Sequence, residues 1–464
     1  MQKYLVSNRT DANCARFYGI ITVIYLSRKL GCDFKFIWED EICAGFEGRP
    51  MNDTIYKEFN GLKIIGAKVD SKETIFDKEF LSQHCIEAKR EESKVWTMSK
   101  HPLDLRDFES FKAFMMSSDF VYFDINCGDF IFNDEDDKEI FKDFFKLVKF
   151  CPKINKLISW AKGCASRFGK FSALHLRAGD CIYGYNEFSH MLSVMWQATP
   201  LHFAMKLIEK LPKDQKLIIF SDDPSNAILM INYLNQANLI SAESLRDFDK
   251  LSISELLIFD LTVMSCASEI YAATSNVSSL ASLIARAEYN QNIYKIISAK
   301  KDYEGIKTLV EKYPFNLYHQ SFSYAHLFLM AKGLRLKDEQ KRFIERASEL
   351  NKDNYRYKIY LAYVLAKYHK TKELEAYLAS LNFEKFLDLL CLNYDKIGED
   401  KFTFFPYFYL ANKKYPHIQR AFDKLSEFLV AKPSLRKKLS KNKLRYSLKR
   451  LLCNCFFLKA YLIK

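Results

Sequence analysis

The first third of the chain alternates between short apolar runs and longer segments of helical periodicity. Lys3–Ser7 predicts a strand, Ala15–Leu30 an amphipathic helix that ends at Gly31, and Asp33–Trp38 a second strand. Strand, helix and strand in this order form a βαβ unit, so the pattern predicts a parallel sheet with a crossover helix. Phe120–Ile125 predicts a further strand.

The same alternation restarts at Pro152. The predicted elements are a helix to about Arg167, strand Ser172–Leu176, helix Pro200–Leu211, strand Lys216–Phe220, helix Asn226–Asn235, a strand near Ile240, helix Ser252–Met264, strand Glu269–Ala273 and helix Ser278–Arg286. Two successive α/β halves of this kind predict two packed Rossmann-like domains with a cleft between them.

Strand signals stop after about Glu288. Asp338–Leu350, Tyr355–His369 and Lys372–Leu381 have helical periodicity, and turn residues 351–354 separate the first two. This stretch resembles a tetratricopeptide-type helix pair, although the full repeat signature is absent. The predicted architecture is therefore α/β with a helical C-terminal region, divided into residues 1–150, 151–290, 291–430 and 431–464.

Charge is concentrated at the C-terminus. The net charge is +13, and Ala431–Lys464 contributes eleven Lys and Arg residues without any Asp or Glu. Leu444, Leu448, Leu451 and Leu452 form one stripe of a helix in this tail, which predicts either a basic amphipathic helix on an anionic membrane or a helix packed on the preceding domain. Nucleic acid is not expected as a partner, because the body of the chain is nearly neutral.

Cysteine usage and the N-terminus bear on the compartment. The 12 cysteines form no CxxC pair, and the chain starts directly in a predicted strand without a signal-peptide core. We therefore expect reduced thiols and a cytoplasmic protein, placed at the inner face of the membrane if the tail binds there.

The segment that carries the most chemical information is His175-Leu176-Arg177-Ala178-Gly179-Asp180. It follows a predicted strand, and parallel α/β sheets bind ligands where their strands end. Arg177 offers a planar fork suited to phosphate oxygens, and Gly179 permits close approach of the backbone. The alternative is a simple turn with a surface Arg–Asp pair.

Two further segments follow predicted strands in the same way. Asp222 and Asp223 in Phe220-Ser221-Asp222-Asp223-Pro224 could hold a ribose or base, bind a metal, or begin a helix. The hydroxyl-rich stretch Thr274–Ser279 starts a helix, where backbone N–H groups form an anion site or are simply capped. All three segments are corners between strand and helix, so they could converge on one cleft.

Together these segments resemble the α1,2-, α1,6- and protein O-fucosyltransferase superfamily. HLRAGD is similar to its H-x-R-x-G-D motif, FSDDP to its second signature, and ATSNVSSLASLIA to its Ser-rich third signature, in the same order over roughly residues 1–290. The resemblance implies a GT-B fold with an N-terminal acceptor domain and a second domain that binds a GDP-linked sugar, with no cofactor and no essential metal. It also implies donor-binding roles for His175, Arg177, Gly179, Asp222, Asp223, Ser275, Ser278, Ser279 and Asn13.

The chain departs from the family pattern at two places. The family's glycine-rich first loop reads Thr10-Asp11-Ala12-Asn13 here, and Ala178 replaces a second arginine. A different donor, or a compensating Arg16 or Arg9, would account for the second change.

Acceptor activation needs a base. Carboxylates are suitable bases, and the candidates are Asp180, Glu187, Glu39 and Asp40, of which the last two follow the second predicted strand. Capping of a helix is the alternative role for each. Arg177 is the candidate catalytic cation. No HExxH, paired Cys/His spacing or phosphate loop of the GxxxxGK type occurs, so neither a metal site nor an ATPase is expected.

The function predicted from the sequence is a metal-independent, inverting glycosyltransferase. It would move fucose or a related sugar to a hydroxyl of a glycan or lipid-linked glycan in bacterial surface polysaccharide synthesis. The alternative is a non-catalytic interaction protein whose helical residues 290–430 form the working surface beside a degenerate transferase domain.

Overall fold

The computed structural model describes residues 2–40, 58–59, 61–66, 68–98, 104–125, 135–183, 195–397 and 414–431. The chain forms two compact units, one of Met1–Asp180 with Leu207–Ile296 and one of Cys181–Lys206 with Ile297–Lys464. Glu187 and the basic tail from residue 432 onward lie outside the described residues. The predicted domain boundaries near residues 150, 290 and 430 stay predictions.

The first unit begins with a four-stranded parallel sheet. The strands of the sheet are β1 Tyr4–Ser7, β2 Asp33–Phe36, β5 Val95–Thr97 and β6 Tyr122–Asp124. A separate hairpin consists of β3 Glu58–Phe59 and β4 Leu62–Lys63. The sheet order is β2-β1-β6-β5, with every pair parallel, while β3 and β4 pair antiparallel. The three predicted strands of this region and their parallel pairing are confirmed.

Seven helices accompany these strands in the described ranges. They are α1 Asn13–Leu30, α2 Lys72–Ile75, α3 Lys78–His84, α4 Phe108–Ser117, α5 Glu135–Lys138, α6 Phe144–Leu147 and α7 Pro152–Ser166. Helix α1 ends at Gly31, which adopts the left-handed conformation with φ 68°. This is the conformation that glycine adopts without strain at a helix C-terminus.

The prediction that α1 is amphipathic was wrong. All of its residues from Asn13 to Ser27 are buried, and only Arg28 and Lys29 reach solvent. The helix packs on the first sheet and also on helices of the second α/β half, so no side of it faces water. A helix that is buried on every side is typical of the centre of a core.

The second α/β half continues the first unit with a five-stranded parallel sheet. Its strands are β7 Ser172–Leu176, β8 Leu217–Ser221, β9 Leu239–Ser241, β10 Glu269–Ala272 and β11 Gln291–Asn292, in the order β11-β10-β7-β8-β9. The described helices of residues 180–296 are α8 Asp180–Tyr183, α9 Leu201–Lys210, α10 Pro224–Leu234, α11 Ile253–Met264, α12 Asn276–Arg286 and α13 Ile293–Ile296. Of these, most of α8 and the first part of α9 belong to the second unit, which includes Cys181–Lys206. Strand β11 corrects the prediction that strands stop after Glu288: it is a two-residue polar edge strand with no apolar pattern.

The second unit is helical. Its later helices are α14 Ala299–Lys312, α15 Leu317–Gly333, α16 Lys337–Leu350, α17 Tyr355–Lys367, α18 Thr371–Ala379, α19 Phe383–Ile397 and α20 Pro416–Ala431. The turns after α15 and α17 both place a residue in the left-handed region, Arg335 at φ 63° and His369 at φ 57°, 34 positions apart. The helical hairpins are thus confirmed, whereas membership of the tetratricopeptide family stays a prediction.

Residues 181–206 are built into this helical unit by buried contacts. Burial lowers the pKa of His202 to about 4, so its imidazole is neutral at ordinary pH. Nε2–H donates to the carbonyl of Tyr313 at 2.8 Å, and the Ser323 hydroxyl donates to Nδ1 at 2.7 Å.

None of the helices in the described part of the chain combines the length and apolar character that a membrane span requires.

The packing of α1 generates a test of stability. A Cβ at Gly19 would lie 2.4 Å from Ser7 Oγ and 3.1 Å from Arg9 Cδ, and the surrounded helix has no room to move away. We expect Gly19→Ala to lower the free energy of unfolding by about 1–3 kcal/mol in urea denaturation. Gly163→Ala is the control: a Cβ in that helix meets nothing within 4 Å, so stability should rise by about 1 kcal/mol. Equal effects of the two substitutions would contradict the close packing.

Candidate functional site

The three motif segments leave the second sheet side by side. Strands β10, β7 and β8 are neighbours, with Ala272 opposite His175 and Leu176 opposite Ser221. Arg177, Asp222 and the turn that starts with Ala273 therefore follow three adjacent strand ends. The three segments therefore share one edge of the sheet, where parallel α/β sheets bind ligands. Their convergence on a cleft stays a prediction.

Asp222 holds the loop of the first motif. Its Oδ1 accepts hydrogen bonds from the main-chain N–H groups of Ala178 and Gly179, the latter at 2.8 Å. A Cβ at Gly179 would lie 3.0 Å from both the Asp222 carboxyl carbon and its main-chain oxygen. Glycine is thus needed here for close approach, and the acid of the second motif fixes the backbone next to Arg177. The predicted contact of Asp222 with a nucleoside stays a prediction.

His175 is a neutral, buried polar group beside Arg177. Its side chain is 8% exposed, and in the described part of the chain its Nδ1 has no hydrogen-bond partner. Burial, followed by the positive charges of Arg177 and Arg246, lowers the pKa of His175 to about 3. A neutral imidazole offers one donor and one acceptor, so His175 is suited to hydrogen bonding rather than to supplying charge.

A buried ion-pair network adjoins His175, and sequence reasoning missed it. The guanidinium of Arg246 has no exposed surface and pairs with Asp260, and its Nε also donates to Glu243 at 3.0 Å. Burial raises the pKa of Asp260 to about 7, against the opposing effect of Arg246. The sequence signal that could have revealed this network is Asp260, a single acid inside the apolar run Leu256–Val263 of helix α11. A carboxyl group buried in a core needs a partner.

Asp223 and Ser275 cap helices, which is the alternative that the sequence left open for these two segments. Buried Asp223 caps α10, where it accepts from the Asn226 main chain at 3.1 Å and from the Asn226 side chain at 2.9 Å. Ser275 caps α12, and the Ser278 hydroxyl donates to the Ser275 carbonyl at 3.1 Å. The Ser279 hydroxyl donates to the Asn290 side chain at 3.2 Å. Contacts of these residues with a donor stay predictions.

The start of α1 contacts the second α/β half, and we call this boundary between the two α/β halves the seam of the first unit. Asn13 is buried; its amide donates to the Lys68 carbonyl at 3.0 Å and accepts from the Ser254 hydroxyl at 3.2 Å. The Cys14 thiol donates to the carbonyl of Asn276, the first residue of α12, at 3.2 Å. The N-terminus of α1 therefore contacts the N-termini of both α11 and α12.

The loop between β1 and α1 is held by arginine instead of being glycine-rich. Arg16 is 1% exposed and donates to the carbonyls of Asp11 at 2.6 Å, Thr10 at 3.3 Å and Glu39. Arg9 pairs with the Asp11 carboxylate. These contacts lock the loop in place, and they give no support to the expectation that Arg16 or Arg9 compensates for Ala178.

The candidate bases lie at different places. Glu39 and Asp40 are exposed in the segment after β2. Asp180 begins helix α8, and its side chain falls outside the described residues, as does Glu187. In the described ranges, no three His, Cys, Asp or Glu side chains lie close enough together to hold a metal ion.

The chain is similar to known proteins in structure but not in sequence. No model of a known protein family matches the chain, and no curated protein is similar to it in sequence. Solved structures similar to 61% of the chain include the fucosyltransferase NodZ from Bradyrhizobium, at 11% identity over 92% of that chain with a TM-score of 0.32. They also include NodZ alpha-1,6-fucosyltransferase soaked with GDP-fucose (10% identity, 93% of that chain, TM-score 0.32) and a mutant of Arabidopsis thaliana FUT1 in complex with GDP (11%, 69%, 0.32).

The hydrogen bonds of Asp222 generate a second test. In Asp222→Ala the N–H groups of Ala178 and Gly179 lose their acceptor, which should lower the free energy of unfolding by about 2 kcal/mol or more in urea denaturation. Asp222→Asn keeps an acceptor oxygen and should recover part of this loss. The control is Asp214→Ala, in the exposed turn before β8. Asp222→Ala with the stability of the control would refute the role of Asp222 in holding the loop.

Proposed function

We propose that the protein is a glycosyltransferase that uses a nucleotide diphosphate sugar, GDP-linked and carrying fucose or a related sugar. The observation that carries the proposal is the arrangement of Arg177, the loop fixed by Asp222 and the N-terminus of α12 at three adjacent strand ends. A cationic fork and a helix N-terminus on one sheet edge are suited to a diphosphate. The family resemblance of the sequence motifs supports the same donor.

The reaction needs stabilisation of the departing diphosphate. When the glycosyl–phosphate bond breaks, negative charge grows on the diphosphate oxygens, and Arg177 with the N–H groups at the start of α12 would stabilise this charge more in the transition state than in the ground state. No metal ion is needed for this step, and direct attack by the acceptor hydroxyl would invert the anomeric carbon. The two α/β halves would then form a GT-B enzyme.

The acceptor proposed is a hydroxyl of a glycan or lipid-linked glycan in bacterial surface polysaccharide synthesis. The basic tail from Ala431 onward supports a peripheral location, because its leucine stripe and its lysines and arginines suit an anionic membrane surface. Such placement would bring the enzyme to a lipid-linked acceptor.

The test of the proposed function is Arg177→Ala. It should abolish transfer from GDP-fucose and weaken GDP binding in calorimetry while leaving the circular dichroism unchanged, and Arg177→Lys should restore little because an ammonium does not reproduce the fork. The control is Arg106→Ala, an exposed arginine that pairs with Asp104. GDP affinity and turnover equal to the wild-type values in Arg177→Ala would refute the diphosphate role.

The same assay in EDTA examines the metal-independent step. Transfer should continue in EDTA; complete loss that Mn²⁺ or Mg²⁺ restores would instead make Asp222 and Asp223 a metal-binding pair. If the wild-type protein binds no nucleotide sugar at all, the non-catalytic interaction protein becomes the better explanation.

Membrane binding has its own test. The full-length protein should pellet with anionic vesicles but not with neutral ones, and high salt should release it, because each basic residue near anionic lipid contributes about 1 kcal/mol. A chain that ends at Val430 should stay in the supernatant. If the shortened chain pellets as well as the full-length chain, the tail is not the anchor.

A further inference from the structure

A cavity of about 400 Å³ opens at the seam of the first unit. Its walls come from Asp40 after β2, from residues 68–71 with Thr74 and Ile75, and from the starts of α7 and α11. It therefore lies where the first sheet ends and next to the N-terminus of a helix of the second α/β half. None of the sequence motifs contributes a residue to it.

One wall of the cavity is fixed in place by Asp70. Its main-chain N–H donates to Ser254 Oγ at 3.1 Å, and its carboxylate accepts from the Ser252 hydroxyl. Its carbonyl accepts from Trp38 Nε1 at 3.1 Å. Asp70 thus joins residues from both α/β halves, and the wall is formed before any ligand arrives.

A second wall is an ion pair at the start of α11. Lys153 Nζ lies 2.5 Å from Glu255 Oε1, and Glu255 also completes the capping box of Ser252. Burial alone would raise the pKa of Glu255, but the hydrogen bonds from Lys153 and from the Ser252 main chain hold it below its ordinary value. Glu255 is therefore ionised and balanced by Lys153 at neutral pH.

Two charged groups in the cavity remain available to a ligand. Within the described part of the chain, no hydrogen bond or ion pair engages the Asp40 carboxylate or the Lys68 ammonium, and both residues are exposed. Asp40 and Lys68 carry opposite charges, and Lys153 balances Glu255. Asp70 has no such counter-charge in the lining, so the net charge of the cavity is near −1. Such a lining favours a neutral ligand rich in hydroxyl groups over a phosphate or nucleotide, because carboxylates accept and ammonium groups donate hydrogen bonds to hydroxyls.

We propose that this cavity binds the acceptor glycan and that Asp40 is the base, an inference that rests on the proposed glycosyltransferase function. The Asp40 carboxylate takes the proton of the acceptor hydroxyl as that oxygen bonds to the anomeric carbon. The bond from the anomeric carbon to the diphosphate breaks, and its electron pair leaves with the nucleotide. Lys68 donates to a neighbouring hydroxyl, and Asp70 is a positioning residue for the wall.

The experiment measures glycoside binding and transfer separately. Methyl glycosides of galactose, glucose and N-acetylglucosamine serve as probes in saturation-transfer NMR with the full chain, and at least one should bind. Lys68→Ala should weaken that signal. Asp40→Asn should keep it and reduce transfer from GDP-fucose to the same glycoside by about 10²-fold or more, the usual contribution of a general base.

The control is Glu73→Gln, an exposed acid on α2 that adjoins the cavity wall without lining it, and it should behave as the wild type. No binding of any methyl glycoside to the wild type, or equal binding to Lys68→Ala, would overturn the acceptor site. Unchanged transfer in Asp40→Asn would overturn the role of Asp40. Calorimetry with GDP distinguishes the two proposals. If the wild type does not bind GDP, the proposed function is refuted. Glycoside binding separately shows whether the cavity is an acceptor site.

Discussion

Two main-chain N–H groups and one carboxylate oxygen organise the edge of the second sheet. The N–H groups of Ala178 and Gly179 both donate to Asp222 Oδ1, and the main-chain oxygen of Asp222 accepts from the N–H of Ile65 at 2.7 Å. One residue therefore holds the loop that carries Arg177 and also the segment that leads to Asp70. Because a charged acceptor serves two amides at once, this contact is stronger than an ordinary turn hydrogen bond.

The position of the site could be predicted from the sequence, but the partners within it could not. Three polar segments that each follow an apolar strand must share an edge if their strands are parallel neighbours, and β10, β7 and β8 are. The sequence does not tell whether a carboxylate at that edge faces a ligand or a backbone amide. Asp222 faces the amides of a loop 43 and 44 positions earlier, a contact that only the folded register of β7 against β8 creates.

The errors in the fold prediction have physical causes as well. Helix α1 contains polar residues such as Asn13, Arg16 and Thr22, which suggest a solvent face, yet each of them is buried and hydrogen-bonded inside the unit. Short elements such as β11 and the β3–β4 hairpin are too brief to show an alternating pattern. Long periodic segments were predicted well, because one buried face over several turns leaves a strong signal.

The division of the chain into two units has a consequence for synthesis on the ribosome. Strands β7 and β8 pair within the first unit, but residues 181–206 between them belong to the second. The hydrogen-bond partners of His202 are Tyr313 and Ser323, which emerge more than a hundred residues later, roughly ten seconds at typical translation rates. Until then the hydrogen bonds of His202 cannot form, so residues 181–206 complete their packing only after α15 has been synthesised. The helical unit is also no simple C-terminal addition, since no single cut separates it from the α/β unit.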